Sequence, residues 1–253
     1  MEPLTKPKIL DVDGFKFICT NEWELWRART LLTKEAGTIA WIRSNVVPND
    51  VFYDIGACAG SYTMVAGREV GPEGQVVAFE PNLINVVHLF GNLSLNKYLD
   101  RVRVVTSALH DQEGFIKFYY SSQLPGTSGA QLGNRLTEDG KQFVPRAVEV
   151  KHCISIDRLL QLGVIRPPNV VKMDVDGNEF HILKGMVEAL QQKDLRTIQV
   201  EIHPKDRLAI EAFLYGQGFE MHDRHYTEKG KERLAAGEKP LEIPHNAVYK
   251  RID

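Results

Sequence analysis

No stretch of the 253 residues approaches the ~20 consecutive apolar side chains of a membrane-spanning helix, so a helical membrane protein is not expected. The segment Met1 to Lys6 lacks the apolar centre of a secretory leader, which makes a cytoplasmic location the default expectation. Cysteine is scarce. Cys19, Cys58 and Cys153 are scattered, odd in number and form no Cys-x-x-Cys pair, which argues against a disulfide framework or a zinc knuckle. An excess of one charge is also missing. The 31 Lys and Arg against 33 Asp and Glu leave a net charge of -2 spread along the chain, so neither nucleic acid nor a membrane surface is an expected partner. There is no low-complexity tract and no internal repeat.

The 43% hydrophobic content suffices for one sizeable core. From about residue 50 the apolar pattern alternates strand and helix. Val51–Ile55, Gln75–Glu80, Val102–Val105, Asn169–Asp174 and Thr197–Ile202 read as strands. Ser61–Val70, Leu83–Leu95, Phe180–Leu190 and Arg207–Tyr215 read as helices between them, and two closing strands follow near Phe219 and Val248. Such alternation predicts an α/β fold, a parallel sheet covered on both faces. The expected division is an N-terminal extension over residues 1–50 and a ligand-binding domain over residues 51–253. The extension reads as a hairpin turning at Asp13-Gly14, then one helical stretch from Glu22 to Ile42 whose Trp23, Trp26 and Trp41 read as core packing ahead of an acceptor pocket or a dimer face. Residues 120–150 read as an inserted loop or hairpin, either a substrate lid or a surface excursion. His222 and His225 read as solvated.

Asp54-x-Gly56-x-x-x-Gly60 follows a strand and opens a helix, the context in which a Gly-rich turn acquires meaning. The glycines allow close approach of a ligand to Ile55 and Gly56, and the helix start favours an anionic group. Glu80 ends the next strand, 20 residues after Gly60, where a carboxylate can accept hydrogen bonds from both ribose hydroxyls. Ser107 and Ala108, after the third strand, are placed to meet an adenine. A dinucleotide fingerprint would need a glycine where Cys58 stands, and Asp54 suits a cationic amino group better than phosphates. The pattern therefore favours S-adenosylmethionine over NAD. An NAD-dependent oxidoreductase and a non-catalytic cofactor-binding module are the alternatives.

The blocks Val51–Ala57, Gly60-Ser61-Tyr62-Thr63, Val77–Asn82, Asn92 with Asn96, and Lys172–Glu179 together resemble the FkbM family of methyltransferases over roughly residues 50–205. That resemblance implies a Rossmann-like, seven-stranded, mostly parallel sheet whose last strand is antiparallel. It adds Ser61, Pro81 and Asn82 to the cofactor-binding positions, and it implies O-methylation of a hydroxylated small molecule such as a sugar or secondary metabolite. One departure stands out: the family has Asp-x-Glu-Gly where this chain has Asp174-Val175-Asp176-Gly177.

Methylating an alcohol requires alignment and a group that takes its proton. Asp174 and Asp176 end the fourth strand and are the expected catalytic carboxylates, with Lys172 on the same side of the strand. His203, ending the fifth strand, is a candidate general base. Asp174, Glu201 and His203 alternatively form a set of ligands for a divalent cation.

Overall fold

The computed structural model describes residues 3–137 and 140–252. The chain opens with an antiparallel ribbon, β1 (Pro3–Val12) and β2 (Phe15–Asn21). Its turn falls at Asp13 and Gly14, both with positive φ. The alternation of β2 sends Phe15, Phe17 and Cys19 inward. Asn21 then caps α1 (Glu22–Arg29) by accepting the N–H groups of Trp23 and Glu24. The expected single helical stretch is two helices, because residues 30–35 turn before α2 (Ala36–Asn45) begins.

The core alternation follows: β3 (Val51–Ile55), α3 (Ser61–Glu69), β4 (Gln75–Phe79), α4 (Leu83–Leu95) and β5 (Val102–Val105). An inserted unit comprises β6 (Ala108–Leu109), β7 (Gly114–Tyr120), β8 (Gln131–Leu132) and β9 (Ala147–Ile154). The alternation resumes with α5 (Ile156–Gln161), β10 (Val170–Met173), α6 (Glu179–Lys184), α7 (Val187–Leu190), β11 (Thr197–Ile202) and α8 (Arg207–Gly216). It closes with β12 (Phe219–His225), α9 (Glu228–Ala235) and β13 (His245–Arg251).

Seven strands form the main sheet in the order β12-β13-β11-β10-β3-β4-β5. β3, β4, β5, β10 and β11 run parallel, and β13 is antiparallel to both of its neighbours. Every residue of β3 is buried, as a central strand covered on both faces requires. Tyr53 and Ile55 pack toward one core with Met173, Leu183 and Ile198. Phe52 packs toward the other with Met64 and Leu89, and there Phe15, Phe17, Leu25, Ile39 and Trp41 complete the layer. The N-terminal extension therefore shares the core of the sheet.

The inserted segment is neither loop nor simple hairpin. Its strands form a second sheet, β6-β9-β7-β8, in which β7 and β9 pair antiparallel from Gly114↔Cys153 to Tyr120↔Ala147. The expected helix Phe180–Leu190 is broken at Gly185, which lies against His110 and Asp111 so closely that a Cβ there would sit 2.9 Å from the His110 carbonyl oxygen. His222 is exposed, but His225 is half-buried, its ring occupying the space that a side chain at Gly37 would need. Among the described residues no helix is long and apolar enough to cross a membrane.

Candidate active site

The order of strands reverses between β10 and β3, and the crevice beyond their carboxyl ends is where such sheets place ligands. The loop after β3 is built on left-handed backbone at Gly56 (φ 82°) and Gly60 (φ 94°). The N–H groups of Gly56 and Ala57 donate to the Phe79 carbonyl at 3.0 and 3.1 Å, which tie the loop to β4. Asp54 does not line the cleft. It is fully buried beneath the loop, accepting the Thr63 hydroxyl proton at 2.6 Å and lying 3.4 Å from Lys172 Nζ. Lys172 also donates to the Gly56 carbonyl at 3.3 Å and lies 3.7 Å from Asp174 Oδ2. Buried opposite charges thus brace the loop from behind.

Glu80 enters the cleft from the end of β4. Its carboxylate accepts the Cys58 N–H at 2.7 Å and the Asn82 N–H at 2.8 Å. Burial outweighs these two hydrogen bonds and, with the charges of Asp176 and Asp54, pushes its pKa up to about 7. A ribose whose hydroxyls donate to this carboxylate selects the ionised form, so affinity is greatest above pH 7 and is lost as the pH falls through it. We expect 5′-methylthioadenosine, which carries no α-amino group to titrate near neutrality, to bind roughly tenfold more weakly at pH 6 than at pH 8 by calorimetry. In Glu80→Gln that pH dependence should vanish; its persistence would remove Glu80 from the site. By the same linkage the unliganded protein loses stability as the pH rises from the ordinary carboxyl range toward 7.

A strap between β7 and β8 roofs the cleft. Asn21 donates to the Pro125 carbonyl at 3.0 Å, and Arg27 Nε donates to the Gly126 carbonyl. Asn85 on α4 accepts the Gly126 N–H at 2.9 Å and donates to the Thr127 carbonyl at 3.2 Å. On the far side the Gly129 N–H donates to Asp176 Oδ2 at 2.7 Å, and Gln131 donates to the Asp176 carbonyl at 2.9 Å. Asp176 itself has φ 59°, a left-handed conformation that Asp tolerates better than most side chains. The strap leaves a partly open cleft with a cavity volume of about 110 Å³.

At the other end of the cleft stand the carboxylates. Asp174, Asp176 and Glu201 bring oxygens within 4.8 Å of one another. Burial disfavours the Asp174 carboxylate, but Lys172, Lys34, a hydrogen bond with Glu201 and Arg27 outweigh it and hold its pKa below the usual range. His203 is buried, with Nε2 3.3 Å from Glu201 Oε2, and does not line the cleft.

A profile of the methyltransferase FkbM domain matches residues 54–221, a span holding the loop, Glu80 and the carboxylates. The chain belongs to the FkbM methyltransferase family. It is 30% identical to the hexuronic acid methyltransferase AglP of Haloferax volcanii over 213 residues, 80% of this chain and 79% of that one. It is 26% identical to the methyltransferase sdnD of Sordaria araneosa, over 85% of this chain and 90% of that one. Methyltransferase FkbM from Methylobacillus flagellatus KT shares the fold with a TM-score of 0.52 at 13% identity, over 91% of this chain and 55% of that structure. The protein is an S-adenosylmethionine-dependent methyltransferase.

Ile55, Gly56, Glu80, Pro81, Asn82, Ser107, Ala108, Asp174 and Asp176 line the methyltransferase cleft together. Asp54 lies behind the loop, Gly60 is a buried loop residue that does not line the cleft, and Ser61 faces a small recess with Phe17 and Ile18 instead. The sequence reading missed Arg27, Asn85 and Phe118 as lining, whereas Thr127–Ala130 fall in the 120–150 segment it offered as either a lid or a surface excursion. Asn85 had a usable signal: with Asn92 it is one of two amides on the buried face of α4. The strap announced itself only as a turn-rich run. Arg27 had no signal, since nothing local marks one arginine of a helix as reaching the sheet.

Proposed function

We propose that this methyltransferase methylates a hydroxyl of a small sugar-like acceptor, with Asp174 taking the hydroxyl proton. The observation that carries this reading is the shared cleft, lined by Glu80, Asp174 and Asp176, with a Glu201 oxygen within 4.8 Å of the two aspartates. The residues present fit S-adenosylmethionine. Glu80 offers a carboxylate for the ribose hydroxyls. Ile55, Phe79, Ala108, Leu109 and Ile182 give apolar walls for the base, and Gly56 and Cys58 line the cleft from the turn after β3, where the amino-acid end would lie. When bound, the cofactor supplies an electrophilic methyl group on a sulfonium.

The chain's own residues do the rest. Asp174 is ionised at neutral pH and sits at the switch point, where it can hold the acceptor hydroxyl and receive its proton as the new C–O bond forms. The ammonium of Lys172, 3.7 Å away, keeps that carboxylate charged. The likeness to a hexuronic acid methyltransferase makes an acidic sugar the acceptor class to test first.

Incubation with methyl-labelled S-adenosylmethionine and a panel of p-nitrophenyl glycosides, the glucuronide included, should place label on a sugar oxygen. Lys172 already provides a positive charge beside Asp174, so we expect transfer to survive EDTA. Dependence on added Mg²⁺ would instead place a cation among Asp174, Asp176 and Glu201. Label confined to nitrogen or sulfur acceptors, or none on any glycoside, would refute the hydroxyl assignment.

A further inference from the structure

Arg27 differs from the other cations around the cleft. Lys34 is paired with Glu35 at 2.6 Å, and Lys172 with Asp54 at 3.4 Å. Arg27 lines the cleft, half-buried, and among the described residues forms no ion pair; its one hydrogen bond uses Nε, to the Gly126 carbonyl. Its electrostatic neighbours are Cys58 and Tyr62 toward the loop and Asp174 and Asp176 toward the carboxylates. The terminal Nη groups, the fork of the guanidinium, are therefore left for a ligand.

A cation withdrawn from water is costly unless an anion or a set of acceptors meets it. The planar fork of arginine matches a carboxylate with two parallel hydrogen bonds, and the Nε contact fixes its plane in advance. Glu80, Asp174 and Asp176 line the same cleft, and their charge opposes a doubly charged phosphate far more than a singly charged carboxylate. We infer that Arg27, supplied by the N-terminal extension, is the carboxylate-binding residue of the cleft. Its ligand is either the amino-acid carboxylate of the cofactor or the carboxylate of an acidic acceptor. The inference rests on the methyltransferase reading and adds a subsite to it.

The test is calorimetry on the full chain, comparing wild type with Arg27→Met and with Arg27→Gln, whose amide can still donate to Gly126. The probes are S-adenosylmethionine, 5′-methylthioadenosine, and, with S-adenosylhomocysteine bound, p-nitrophenyl β-D-glucuronide and the matching glucoside. We expect both variants to bind 5′-methylthioadenosine within twofold of wild type, which shows that cleft and strap are intact. One carboxylate ligand should weaken by roughly 10- to 100-fold. Selective loss of S-adenosylmethionine assigns Arg27 to the cofactor, and selective loss of the glucuronide relative to the glucoside assigns it to the acceptor. No selective loss of either overturns the inference, as does equal weakening of every probe in both variants. Failure of wild type to bind S-adenosylmethionine would instead remove the underlying methyltransferase reading.

Discussion

Asp174→Asn should lower kcat by roughly 10²- to 10⁴-fold, the usual contribution of a positioned general base, while S-adenosylmethionine affinity stays within a few-fold of wild type. The amide keeps the size and one acceptor oxygen of the carboxylate but cannot take a proton. Glu80, at the other end of the cleft, is untouched by the change. Lys172 keeps Asp54 as a partner at 3.4 Å, so the loop beneath the cofactor remains braced. Steady-state kinetics with cofactor binding measured separately distinguishes this from a packing defect. A variant that keeps more than about a tenth of wild-type kcat would move the base elsewhere, and Glu201 would be next to replace.

Gly56→Ala should be the most damaging small substitution in the molecule. A Cβ at Gly56 would stand 1.8 Å from the Asp174 carbonyl oxygen, and the residue's φ of 82° disfavours any L side chain. Neither partner can retreat, because the Asp174 N–H donates to the Ile55 carbonyl at 3.1 Å and β3 and β10 are paired along their length. Gly14 supplies the control, with nearly the same φ, 80°, and nothing within 4 Å of the place a Cβ would take. Gly14→Ala should cost about 1 kcal/mol and Gly56→Ala at least ~3 kcal/mol, or roughly 6–12 °C in Tm for a chain of this size. Equal melting temperatures for the two variants would show that the contact at Gly56 relaxes freely.

The parts of this architecture legible in the sequence are those with strong local signals. Val51–Ile55 is apolar but for Asp54 because its strand is covered on both faces, and Thr197–Ile202 keeps apolar residues at 198, 200 and 202. Glu80 was legible because its distance from the Gly-rich turn is set by one helix and one strand. The inserted sheet was not, since β6 and β8 have two residues each and carry no periodicity. Asp54 illustrates a different limit. A carboxylate at a strand end can face the ligand or the interior, and only the position of Lys172 on the neighbouring strand decides which. Arg27 depends on contacts made across 99 residues of chain, to Gly126, which no local pattern encodes.

The strap joins three regions that are far apart in the chain: α1 through Asn21 and Arg27, α4 through Asn85, and the turn after β10 through Asp176. Lifting the strap would break these contacts, and the Asp176 clasp lies two residues beyond Asp174, the proposed base. Opening the cleft and disordering the carboxylates are then a single event. A roof tied in this way to the proposed base would couple the lifting of the strap to the loss of the arrangement that takes the proton.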